Sequence, residues 1–71
     1  MVNANVRMAI DDSGLKQKFV AEKAGISEQA LSAMLNERQK IGVEEFFAFC
    51  RVLQKSPEEL YNYQGQNEKG A

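Results

Sequence analysis

The chain has no histidine and no tryptophan, and only one cysteine and one proline in 71 residues. Without His, and with Cys50 alone, it lacks the ligands of a zinc site, the usual partners for nucleophilic catalysis and any internal disulfide. The composition therefore predicts neither a metal site nor an enzyme, and no cofactor is expected. No apolar run approaches a membrane span or a signal-peptide core, so the expectation is a soluble, cytoplasmic protein with no membrane partner. The single Pro and five Gly also exclude collagen-like or proline-rich disorder. A chain this short fits one domain with one core.

A dominant charge is missing too, since the net charge is −1, but placement matters more than the sum. Residues 16–40 carry Lys16, Lys18, Lys23, Arg38 and Lys40 against Glu22, Glu28 and Glu37, a net +2, while 1–15 is net −1 and 41–71 net −2. The middle of the chain has the sign that phosphate requires, although the same excess also suits a solvated surface.

What is present is helical periodicity. Val2, Val6, Ala9, Ile10 and Ser13 fall on one face of a first helix, with Asn3 or Asn5 as its cap and Gly14 as its stop. Gln17 to Ala24 makes a second helix of about two turns, ended by Gly25. Ser27 caps a third, running to Leu35 or Asn36, with Ala30, Leu31 and Met34 inward and Leu35 at the flank. The stripe Val43, Phe46, Phe47, Cys50, Leu53 predicts a fourth helix over 43–54 that supplies most of the core. In "SPEEL", Ser56 as cap, Pro57 at the first helical position and Glu59 three residues after the cap form a capping-box signature for a fifth helix, carrying Leu60, Tyr61 and Tyr63. Cys50, Met34 and the Phe residues are assigned to the core. The chain thus divides into a domain over 1–63 and a disordered tail over 64–71.

Helix, tight turn at a Gly, helix is the helix-turn-helix arrangement. With the spacing Gln17, Ala21, Gly25, Ile26, Leu31, Leu35-Asn36, residues 3 to 62 resemble the DNA-binding domain of lambdoid phage repressors and Cro proteins, the Xre-type regulators. The resemblance implies an all-α, compact five-helix fold in which the third helix, about 28–36, lies in the major groove and the second crosses the backbone. It also implies that Gln17 clamps a phosphate. Two places depart from the pattern. Many members carry Asn-Gly after the recognition helix where this chain has Asn36-Glu37. Many pair an Arg of helix one with a Glu of helix three where this chain has Ile10 and Leu35, a joint change to apolar residues that strands no buried charge.

At about 100° per residue, Glu28, Gln29, Ser32, Ala33 and Asn36 fan across the outward side of helix three. Gln29 suits an adenine edge, Glu28 a cytosine amino group, Ser32 either polarity, and the Ala33 methyl a thymine methyl. Glu28 equally suits the dipole of a first turn, and Ser32 a plain surface. Lys16, Gln17, Lys18, Asn36, Arg38 and Lys40 are the candidate phosphate contacts, with ordinary solvation the alternative for each cation. The expected partner is double-stranded DNA at a palindromic operator, bound by a homodimer that forms through the end of helix five, either in free solution or only on DNA. The function implied is a transcriptional repressor of prophage or mobile-element type, acting at the nucleoid of a bacterial or phage-infected cytoplasm. An antitoxin of a toxin-antitoxin pair, and an interaction module that has lost DNA binding, remain alternatives.

Overall fold

Residues 2–65, described here in a computed structural model, form five helices: α1 (Val2–Ser13), α2 (Gln17–Ala24), α3 (Glu28–Leu35), α4 (Val43–Leu53) and α5 (Pro57–Tyr61). The architecture is all-helical, with no strand among the described residues. The expected tail falls mostly on residues 66–71, outside them.

Local chemistry explains the boundaries. Ser27 Oγ accepts from the Ala30 N–H at 3.0 Å, satisfying one of the free donors at the start of α3. At α5 the capping box is complete: Ser56 Oγ accepts from Glu59 N–H at 3.0 Å, and the Ser56 N–H donates to Glu59 Oε1 at 2.7 Å. Three helices end in the paired six-to-one and five-to-two bonds of the Schellman motif. In α2 these are Ile26 N–H to Ala21 and Gly25 N–H to Glu22; in α3, Arg38 to Ala33 and Glu37 to Met34; in α4, Lys55 to Cys50 and Gln54 to Arg51. The motif needs one left-handed residue, and this is Gly25 at φ 77, Glu37 at φ 62 and Gln54 at φ 57. Only the first is a glycine.

The core unites all five helices. Val6, Ala9 and Ile10 of α1, Val20 and Ala21 of α2, Leu31, Met34 and Leu35 of α3, Phe49 and Cys50 of α4 and Leu60 of α5 form one buried cluster. Each large side chain so buried is worth about 1.5–3 kcal/mol. α2 packs on α3 and α4, and α1 packs on α3, α4 and α5, so α4 backs the first helix of the motif and α1 the second. Ile10 and Leu35 both join this cluster, which is how a helix-one to helix-three contact persists without charge.

Five expectations need correction. Neither Asn3 nor Asn5 caps α1, because the helix already includes Val2; both amides are used across the fold instead. α4 ends at Leu53, and Gln54 turns left-handed after it. Its buried face includes Ala48, Phe49 and Cys50, while Val43 is 72% and Phe47 44% exposed. With so many apolar residues in eleven, the stripe wraps further around the helix than one core can cover. Phe19 is likewise exposed, at 42%, with Lys23 Nζ 5.6 Å from its ring centroid. Finally, α5 stops at Tyr61, so Tyr63 lies beyond the helix.

Candidate nucleic-acid interface

The outward face of α3 follows from the inward one. With Leu31, Met34 and Leu35 buried, Glu28 and Gln29 are exposed in the first turn, and Ser32 and Ala33 are half-buried in the second. The first turn is held by the Ser27 cap. A side chain on such a turn is presented from rigid backbone.

The end of α3 is tied in two ways. Asn36 Nδ2 donates to the Ser32 carbonyl at 2.9 Å and to Ser32 Oγ at 3.3 Å, and Asn36 Oδ1 accepts from Arg7 Nη1 at 3.4 Å. Behind it, the buried Asn3 donates from Nδ2 to the Met34 carbonyl at 2.8 Å and the Gln39 carbonyl at 3.0 Å. That amide links the last turn of α3 to the middle of the following loop. Asn3, Glu37, Arg38, Gln39 and Lys40 line a cleft of about 260 Å³. Two of the expected phosphate contacts, Arg38 and Lys40, thus share one recess with the acidic Glu37.

Lys16, Gln17 and Lys18 form a second group, all exposed at the start of α2. Lys16 has an extended backbone (φ −74, ψ 144) and its carbonyl accepts the Val20 N–H at 3.0 Å, while no side chain caps the helix. Gln17 therefore opens a helix whose first N–H groups are left to solvent or to an anion.

Two residues here have tasks that the sequence does not signal. Nothing in a helical period says that α1 brings Arg7 to the end of α3. Asn3 was read as a cap, because capping is what an Asn near a helix start usually does. Only the tertiary packing gives either its partner.

At the other end of α1, Tyr63 donates its hydroxyl to Asp12 Oδ2 at 2.6 Å, and Lys55 Nζ stands 5.0 Å from the Tyr63 ring centroid. The hydrogen bond to Asp12, with burial and the carboxylate charge, pushes the Tyr63 phenol up to about 12. Burial also raises the Cys50 thiol, against a smaller opposing effect of Arg51. An apolar groove of about 300 Å³, lined by Val2, Ile41, Val43, Phe47 and Tyr61 among others, opens beside the loop after α3.

Residues 6–60 match the family model described as helix-turn-helix, the type of the Xre and lambda repressors. That span runs from within α1 to within α5. No curated protein and no solved structure matches the chain.

Proposed function

The chain belongs to the Xre and lambda-repressor type of helix-turn-helix family, a DNA-binding family, and from that premise we propose that it is a sequence-specific transcriptional repressor of prophage or mobile-element type that reads the major groove with α3. The observation that carries this is the outward face of α3, where Glu28 and Gln29 are exposed on a turn held by the Ser27 cap. Gln29 pairs with an adenine edge, Glu28 accepts from a cytosine amino group, Ser32 bonds a neighbouring base and the Ala33 methyl packs on a thymine methyl. Lys16, Gln17 and Lys18 hold one phosphate strand at the start of α2, and Arg38 and Lys40 hold another from the loop after α3. Asn36 stands at the same edge of the interface.

A single α3 spans only a few base pairs, and two-fold dimers with half-sites about 34–36 Å apart are the common remedy. The partner we infer is a second copy of this chain on a palindromic operator, met through the groove of Val43, Phe47 and Tyr61. Tyr61 is 62% exposed, whereas Tyr63 is committed to Asp12, so Tyr61 is the tyrosine at this contact. Three partly exposed side chains offer on the order of a few hundred Å², against about 800 Å² per partner in a stable complex. The dimer therefore assembles only when DNA aligns both copies.

A salt titration of binding to mixed-sequence duplex tests the DNA reading. A steep loss of affinity with salt is expected; affinity that is absent or indifferent to salt contradicts it and favours an interaction module.

A further inference from the structure

The last turn of α3 ends in a hydrogen-bond chain that leaves the motif and finishes on α1. Arg7 Nη1 donates to Asn36 Oδ1 at 3.4 Å, and Asn36 Nδ2 donates to the Ser32 carbonyl at 2.9 Å and to Ser32 Oγ at 3.3 Å. The direction of the chain is fixed by the groups in it. A guanidinium can only donate and a backbone carbonyl can only accept, so the Asn36 amide has one orientation that satisfies both neighbours. Its NH2 then faces Ser32 Oγ and occupies one of the two lone pairs of that hydroxyl. The hydroxyl keeps its proton and a single lone pair, so with one acceptor site taken its balance shifts from accepting toward donating.

We propose that Asn36, anchored by Arg7, is a positioning residue that sets Ser32 as a hydrogen-bond donor toward the major groove, so that the base beneath Ser32 is selected for an acceptor edge. Acceptors there are purine N7, guanine O6 and thymine O4, and the group selected against is the cytosine amino group, which can only donate. Ser alone carries no such preference, since a free hydroxyl serves either way. The preference comes from the residue that caps the end of α3, one turn after Ser32, and from a cation on another helix. This inference rests on the reading of α3 as the recognition helix and gives Asn36 a task other than a phosphate contact. Asn36 and Arg7 are both exposed, so they can be replaced without opening the core.

The experiment is selection of bound sequences from a randomised duplex pool, using the full chain as wild type, Ser32→Ala, Asn36→Asp, Asn36→Leu and Arg7→Met. Circular dichroism reports whether each variant keeps its helices. In the wild type, one operator position is expected to disfavour cytosine by roughly tenfold, the scale of one net hydrogen bond. Ser32→Ala should flatten that position alone. Asn36→Asp offers no N–H, draws the hydroxyl proton inward and leaves a lone pair outward, so cytosine should become enriched there. Asn36→Leu adds no charge and should admit cytosine without favouring it. Arg7→Met should relax the same position by a smaller factor, with the rest of the operator unchanged. Both Asn36 variants weakening all sequences alike, with the wild-type preference intact, would overturn the proposal, as would an effect of Arg7→Met confined to the salt slope. A wild type that selects no sequence at all overturns the recognition reading itself, an outcome distinct from a preserved preference in the variants.

Discussion

The Asn3 side-chain amide lies 2.8 Å from the carbonyl oxygen of Met34, thirty-one residues further along the chain. The same nitrogen reaches the Gln39 carbonyl, so one buried amide fixes the last turn of α3 and the loop carrying Arg38 and Lys40. Asn3→Leu fills a similar volume but removes both bonds, each worth about 0.5–1.5 kcal/mol net, for a combined loss of about 1–3 kcal/mol. Denaturant unfolding should show a loss of that size. Asn3→Asp should be no better, since it sets acceptor against acceptor. A fully stable Asn3→Leu would mean that the loop does not depend on this staple.

Glu37 and Gln54 each occupy the left-handed position of a Schellman turn. An L-residue there costs about 1–2 kcal/mol relative to right-handed backbone, of which glycine gives back a part through its larger unfolded-state entropy. Glu37→Gly and Gln54→Gly should each raise stability by roughly 0.5–1 kcal/mol. Gly25→Ala runs the other way: nothing lies within 4 Å of an added Cβ, so any loss on thermal unfolding reports backbone strain alone. Glu37→Gly should also strengthen DNA binding, because it removes the carboxylate from the cleft of Arg38 and Lys40.

The bond from Tyr63 to Asp12 makes stability depend on alkaline pH. A phenol raised to about 12 in the folded chain, from about 10 unfolded, loses its proton more readily when the chain unfolds. Its contribution is therefore complete below about pH 10 and is lost as pH rises toward 12. Titration followed by tyrosinate absorbance should show a phenol near the raised value in the wild type and none there in Tyr63→Phe. Asp12→Asn should lower it toward the ordinary value. A Tyr63 that titrates at its ordinary value would mean the contact is not kept in solution.

Tyr61 is where pairing of two copies is expected. Sedimentation should show monomers in free solution and two chains on a palindromic duplex. Tyr61→Ala and Phe47→Ala should lower cooperativity on the palindrome and leave half-site affinity intact. Tight binding of one copy to a palindrome, with no second copy added, contradicts the dimer.

The elements that local chemistry controls were legible without coordinates. Ser27, the Ser56–Glu59 box and Gly25 declare their helix ends because each acts within four residues of itself, and α2 and α3 follow from them. The span of α4 was just as legible, but its buried face was not, because an excess of apolar residues leaves the period without a clear phase; Phe49 is fully buried and Phe47 is not. The tasks of Arg7, Asn3 and Tyr63 were out of reach for a different reason. Their partners Asn36, Met34 and Asp12 are 29, 31 and 51 residues away, and no pattern along the chain encodes a contact across it.

The central claim is that α3 reads bases while the ends of α2 and α3 hold phosphates. Selection of bound duplexes by wild type, Gln29→Ala, Gln17→Ala and Lys40→Ala tests it most directly. The account predicts that Gln29→Ala changes base preference at one position per half-site, at a cost of about 1–3 kcal/mol for the lost bidentate pair. Gln17→Ala and Lys40→Ala should weaken all sequences alike, and Lys40→Ala should reduce the salt slope by roughly one unit. An unchanged preference in Gln29→Ala, or an altered one in Gln17→Ala, would contradict the account.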